Sequence, residues 1–202
     1  MEHEILAKAK ELFQRYGLRP VTMDDIAKEL GVSKKTLYKY FANKEELVSH
    51  TVDQVFERVK AMMISLSEDE GNAIDVLFAM DEVVCTNIET HDHSMQFQLE
   101  RYYPEVNARL EFKKRELVFK MMRANIERGI REGIFRENLD VEVVSFLYYS
   151  RTRTMAQADL EFLHNRPLTE ILREVLIYHV RGISNAKGVA YLEEKLKLTT
   201  NK

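Results

Sequence analysis

The sequence predicts an all-α protein, and three observations carry that prediction. Apolar residues recur at three- and four-residue spacing along most of the 202 residues, the period of one buried helix face. Only three prolines and seven glycines interrupt them. Capping residues open several of these apolar series and glycines close others, as helix boundaries require. The expected organisation is a three-helix domain over residues 1–47 and a six- or seven-helix domain over residues 48–202.

The first helix shows Ile5, Leu6, Ala9, Leu12, Phe13 and Tyr16 on one face and ends at Gly17, which tolerates a left-handed cap. Thr22 starts the second. Its hydroxyl can cap the free amides of the first turn, while Asp24 and Asp25 oppose the positive end of the dipole. Ile26, Ala27 and Leu30 supply its apolar face. Gly31-Val32-Ser33 is a three-residue turn, and a third helix is expected from Lys34 to about Phe41. Asn43-Lys44-Glu45-Glu46 reads as a capping box opening a fourth.

Two short helices joined by such a turn form a helix-turn-helix, here over about residues 22–41. At about 100° per residue from Lys34, Lys35 falls near 100°, Tyr38 near 40° and Lys39 near 140°. Leu37, Tyr40 and Phe41 fall between about 240° and 340°, the side that packs. Three lysines and a tyrosine thus share the outer face, suited to a major groove where base edges are read and lysines pair with phosphates. The whole chain is −3 at neutral pH, yet residues 28–44 carry Lys28, Lys34, Lys35, Lys39 and Lys44 against Glu29 alone. A charge run by itself is usually a solvated face. Its placement on the outer arc of a capped helix raises the DNA-binding reading.

Thr22-Met23-Asp24-Asp25-Ile26-Ala27, then Gly31-Val32-Ser33-Lys34-Lys35-Thr36-Leu37-Tyr38-Lys39-Tyr40-Phe41, then Lys44-Glu45-Glu46-Leu47, resemble the N-terminal signature of the TetR family of bacterial regulators, without a gap over residues 5–48. The resemblance implies a three-helix DNA-binding domain, a homodimer and a divergent C-terminal ligand domain. It also implies that Thr22, Ser33, Lys34, Lys35, Thr36, Tyr38, Lys39, Tyr40 and Lys44 lie at or near double-stranded DNA. Lys44 and the tyrosine hydroxyls are expected at phosphates, Lys34 and Lys35 at bases. The helical wheel sets Tyr40 apart, toward the core.

The fourth helix, about Lys44 to Leu66, carries a seam of Val48, Val52, Val55, Val59, Met62 and Leu66. Ser67 to Gly71 is a polar turn. The fifth, about Asn72 to Thr90, exposes Asp75, Glu82 and Glu89 at sevens, but Asp81 projects into an apolar arc. A buried carboxylate is costly unless paired or hydrogen-bonded, so Asp81 is in an internal ion pair, or marks a local edge effect, or is a polar group lining a ligand cavity. His91-Asp92-His93 lacks a third ligand at a recognisable spacing and reads as a turn, with no metal site expected. A sixth helix spans about Ser94 to Tyr103, and Pro104 opens a seventh that runs to about Glu132.

Gly133-Ile134-Phe135-Arg136 with Asp140 resembles the link before the last two large helices of TetR-family proteins. The eighth helix, about Val141 to His164, shows Val144, Leu147, Tyr148, Met155, Ala158 and Phe162, with Arg151 among them. The ninth, about Leu168 to Ser184, shows Leu168, Ile171, Leu172, Val175, Leu176 and Ile183, with His179 in line. In the family these two helices, about 141–184 here, pair with their dimer mates in a four-helix bundle. Arg151 and His179 are then interface or core polar groups; alternatively Arg151 offsets Asp81 or binds an acidic effector. Beyond Leu196 a polar, disordered tail is expected.

Phe97, Tyr102, Phe112, Met121, Met122 and Tyr148 either line an adaptable apolar cavity, with Asp81 and Arg151 as its polar groups, or are plain core. The expected protein is a repressor released from a palindromic operator by a small lipophilic effector. The rival is a DNA-bound adaptor that recruits a protein and senses nothing. No nucleophile–base motif, phosphate loop or metal-ligand spacing suggests an enzyme or a cofactor. No apolar run reaches the roughly 18 residues a membrane span needs. A start without a secretory pattern and a single cysteine, Cys85, predict a cytoplasmic protein without an internal disulfide.

Overall fold

The computed structural model describes residues 1–67, 71–90, 93–157 and 166–200. Ten helices lie among them: α1 Glu2–Tyr16, α2 Met23–Glu29, α3 Lys34–Tyr38, α4 Lys44–Ser67, α5 Ala73–Thr90, α6 His93–Tyr102, α7 Pro104–Arg131, α8 Val141–Gln157, α9 Leu168–Ile183 and α10 Ala186–Thr200. The all-α expectation holds, and seven helices follow the first three. None of the ten is long and apolar enough to cross a membrane. The expected extension of α8 to His164, with Ala158 and Phe162, lies outside the described residues, as does the turn at residues 68–70. So do His91 and Asp92, and the side chains of Met155 and His93.

The chain divides into two compact units, Met1–Ala61 with Asn87–Lys114, and Met62–Thr86 with Arg115–Lys202. In the first, Ile5, Ala9 and Phe13 of α1 pack in a core with Leu18, Ile26, Leu37, Phe41 and Leu47, all nearly inaccessible. Tyr16 departs from expectation: it is exposed, with the Arg15 guanidinium 5.1 Å from its ring centre. Gly17 has φ +85°, and a β-carbon there would stand 2.7 Å from the Gln98 amide. That amide instead accepts the Arg19 backbone N–H at 3.0 Å, so α6 holds the α1–α2 turn. Asp53 of α4 receives Lys113 at 2.8 Å and Arg109 at 3.2 Å from α7.

The expected apolar seam of α4 is only partly buried. Val48 is enclosed but Met62 is exposed, and Thr51, Phe56 and Met63 take the inner positions instead. A spacing of 4, 3, 4, 3 averages 3.5 residues, so on a straight helix the stripe drifts by about 20° per heptad and leaves the core.

In the second unit Ile74, Leu77, Met122, Ile126, Phe135, Tyr148, Leu176 and Leu192 form one buried cluster. The α7–α8 link turns at Gly133, φ +67°, and the Phe135 backbone forms an isolated antiparallel bridge with Ser184. Asn185 then caps α10, its side-chain oxygen accepting the N–H groups of Lys187 and Gly188 at 3.0 and 3.1 Å. The residues beyond Leu196 were expected to be disordered; they continue this helix to Thr200. Tyr191 and Lys195 of α10 both bind Asp75 at 2.7 Å, so Asp75 is half-buried rather than outward as its sevenfold spacing suggested.

Candidate nucleic-acid interface

Thr22 starts α2 with a complete capping box: its hydroxyl accepts the Asp25 N–H at 3.1 Å and its own N–H donates to the Asp25 carboxylate at 2.8 Å. The Thr22 hydroxyl also donates to that carboxylate at 2.7 Å, and the hydroxyl and backbone N–H together hold the Asp25 carboxyl below the usual range. The turn bends at Gly31, φ +66°. Ser33 then accepts the Thr36 N–H at 3.0 Å, and the two hydroxyls lie 2.8 Å apart. At α4, Asn43 accepts the Glu46 N–H at 2.8 Å, while the Glu46 carboxylate reaches past Asn43 to the Ala42 N–H.

These caps place α3 with Leu37 buried and Lys34, Lys35, Tyr38 and Lys39 exposed. The helix is shorter than expected. After Tyr38 the chain tightens, with Lys39 N donating to Thr36 O at 3.2 Å and Tyr40 N to Leu37 O at 3.0 Å. A three-residue turn advances about 120° per residue instead of 100°, which swings Tyr40 off the packed side. Tyr40 is exposed while Phe41 fills the core, so the wheel's inward placement of Tyr40 is corrected.

Of the other expected contact residues, Thr22 and Ser33 are exposed and Thr36 and Lys44 half-buried. Lys34 is engaged: its ammonium lies 2.8 Å from the Asp24 carboxylate across the turn, and that contact raises its pKa. Lys35 and Lys39 carry no ion pair among the described residues. The Lys44 ammonium donates to the Arg19 carbonyl at 3.1 Å, and burial lowers its pKa against the pull of Asp25.

Arg19 is the residue that sequence reasoning passed over. Besides its carbonyl and N–H contacts, its guanidinium lies 5.2 Å from the Tyr102 ring centre and donates to the Tyr102 hydroxyl at 3.2 Å. No periodicity signals a pairing between residues so far apart in the chain.

The residues expected around an effector fall into two sets. Phe97, Tyr102 and Phe112 of the first unit are exposed. Asp81, Met121, Met122, Tyr148 and Arg151 of the second are buried, and Asp81, Tyr148 and Arg151 form a polar cluster with His179. Arg151 Nη2 donates to Asp81 Oδ1 at 2.7 Å and Nη1 to the Leu172 carbonyl at 3.1 Å. Burial raises the Asp81 carboxyl, with Arg151 pulling the other way. Burial also pushes the Tyr148 phenol up to about 12, and it pushes His179 down to about 4 with help from the Arg151 charge. Two open grooves, of about 690 Å³ between α1 and α4 and about 500 Å³ beside α10, contain none of these eight residues. No group of three metal-ligating side chains occurs among the described residues.

Residues 5–51 match the family model of bacterial regulatory proteins of the tetR family. The HTH-type transcriptional regulator YhgD of Bacillus subtilis is 30% identical over 150 residues, covering 71% of this chain and 75% of that protein. The chain belongs to the TetR family. It is therefore a DNA-binding transcriptional regulator, and the stretch that matches the family model contains α2 and α3. The HTH-type transcriptional repressor KstR2 of Mycobacterium tuberculosis is 28% identical over 144 residues, 70% of this chain and 72% of the repressor. The KstR2 structure shares the fold, with TM-score 0.61 at 24% identity over 91% of this chain and 95% of that one. A transcriptional regulator from Cytophaga hutchinsonii superposes at TM-score 0.74 with 18% identity, covering 90% of this TetR-family chain and 97% of its own.

Proposed function

We propose that this regulator is a homodimeric repressor, active in the cytoplasm, that sets two copies of α3 in successive major grooves of a near-palindromic operator. The outward group Lys35, Tyr38 and Lys39 on a helix capped by Ser33 carries the reading. Two such helices about one helical turn apart, or a multiple of it, match two half-sites. Thr22, Ser33, Thr36, Tyr40 and Lys44 border that face, and Lys34 joins it by exchanging Asp24 for DNA.

Dimerisation through α8 and α9 is supported by Val143, Phe146, Leu147 and Tyr178, large apolar or aromatic side chains that these helices leave exposed. A small effector enters the reading through the second unit. A ligand shifts DNA binding only by its differential affinity for two conformers, and the buried polar residues Asp81, Tyr148 and Arg151 offer it something to recognise. The adaptor reading has its own support: Met122 and Tyr148 are packed in the core, as plain core residues are. A thermal-shift screen separates the two, since an effector must stabilise the fold it binds.

Retardation of the chain's own upstream DNA in a gel, lost on Lys35→Ala, is the expected result. An unretarded upstream region, with no Lys35→Ala-sensitive site elsewhere in the genome, contradicts the proposal.

A further inference from the structure

Four buried side-chain polar atoms of the second unit have no hydrogen-bond partner among the described residues: Ser184 Oγ, and Tyr148 Oη, Arg151 Nε and His179 Nε2. The last three belong to one cluster. The Arg151 guanidinium carbon lies 4.7 Å from the Tyr148 ring centre, and the Tyr148 and His179 rings meet edge-to-face at 5.6 Å. One N–H of each terminal nitrogen of Arg151 goes to Asp81 or to the Leu172 carbonyl. An unpaired buried polar group costs roughly 1–3 kcal/mol. A well-packed core does not ordinarily gather three of them.

The charge balance of the cluster narrows what completes it. Arg151 and Asp81 cancel, and His179 and Tyr148 are neutral near pH 7. The unused groups include two donors, Nε–H and the phenol O–H, and an imidazole nitrogen that donates or accepts according to its tautomer. Arg173 is a further cation acting on Asp81 but not on His179, so a carboxylate brought beside His179 would be a buried charge whose nearest cation, Arg151, is already paired, which is unfavourable. An uncharged oxygen accepts both donors without that penalty. Leu77, Met122, Val144, Leu176 and Val180 belong to the same buried cluster as Tyr148, so the surroundings are apolar.

We propose that Tyr148, Arg151 and His179 form the polar end of the effector site and take a neutral oxygen, a carbonyl or hydroxyl, borne on an apolar body. The assignment rests on the effector-release reading above. It adds the class of effector and brings in His179.

The test titrates the full-length protein with four probes of one shape: cyclohexanone, cyclohexanol, cyclohexanecarboxylate and methylcyclohexane. The side-chain nitrogen resonances of His179 and Arg151 are followed by NMR, and release of the upstream duplex by fluorescence anisotropy. The ketone and the alcohol shift both resonances saturably, and Tyr148→Phe weakens them about five- to tenfold, the value of one hydrogen bond. That variant melts no lower than the wild type, because it deletes a buried hydroxyl that has no satisfying partner among the described residues. A tighter carboxylate, equal shifts from methylcyclohexane, or no shift from any probe, as when the cluster holds only water, overturns the assignment. Shifts by the ketone without release of DNA uphold the assignment and overturn the effector-release reading. Release by the carboxylate alone does the reverse.

Discussion

Arg151 Nη2 and Asp81 Oδ1 meet at 2.7 Å with their side chains 3% and 1% exposed, tying α8 to α5 inside the second unit. Removing one member of a buried pair leaves the other charge uncompensated, at about 3–5 kcal/mol. Asp81→Ala should lose that much in urea unfolding, whereas Asp81→Leu with Arg151→Met should return to within about 1–2 kcal/mol of wild type. An Asp81→Ala loss under about 1 kcal/mol would contradict a structural role for the pair.

His179 makes stability fall on acidification. Its folded pKa of about 4 lies below the ordinary 6.5, so between these values the unfolded chain binds the proton and the native state does not. Stability is then full above pH 6.5 and declines toward pH 4, by up to about 3 kcal/mol. Asp81, raised by burial, acts in the opposite sense as pH rises past its ordinary value. Subtracting the profile of His179→Gln isolates the histidine: the difference should slope only in that window, and a flat difference would contradict the assignment.

Thr22→Ala removes the hydroxyl that starts α2 and should destabilise the protein by about 1 kcal/mol, while Thr22→Ser should stay near wild type. Thermal unfolding with a DNA-binding assay at the same temperature checks it. If binding drops in Thr22→Ala with no change in melting, Thr22 acts at DNA rather than through the cap.

The helix-turn-helix was legible because its signals are local. Thr22, Gly31 and Ser33 announce caps and a turn within three or four residues of the groups they serve, and the wheel placed Leu37 inward and Lys35 outward correctly. It misplaced Tyr40 because it assumed one regular period through the end of α3. Asp81 was legible as an anomaly, a carboxylate in an apolar arc, and an offset by Arg151 was among the alternatives for that arginine. Contacts made across the fold were not legible: Arg19 with Tyr102 and Lys34 with Asp24 join residues whose separations match no helical or strand period. α10 was missed as a helix because its cap, Asn185, follows α9 after the single extended residue Ser184, with no loop of turn residues to mark the boundary.

Phe146→Glu with Tyr178→Glu should convert the protein to a monomer in sedimentation, since charges in the centre of an apolar interface repel across a two-fold axis. A dimer undisturbed by both changes places the interface away from those faces of α8 and α9.

The most direct test of the outward face of α3 is the affinity of the upstream duplex as a function of salt, for wild type and for Lys35→Ala with Lys39→Ala. Both lysines lie outside the core, so circular dichroism should report an unchanged fold. The account predicts steep weakening with salt in the wild type. In the double variant, affinity should be at least about tenfold weaker and the logarithmic slope shallower by up to about two. A double variant that is folded and binds with the wild-type affinity and slope would contradict it.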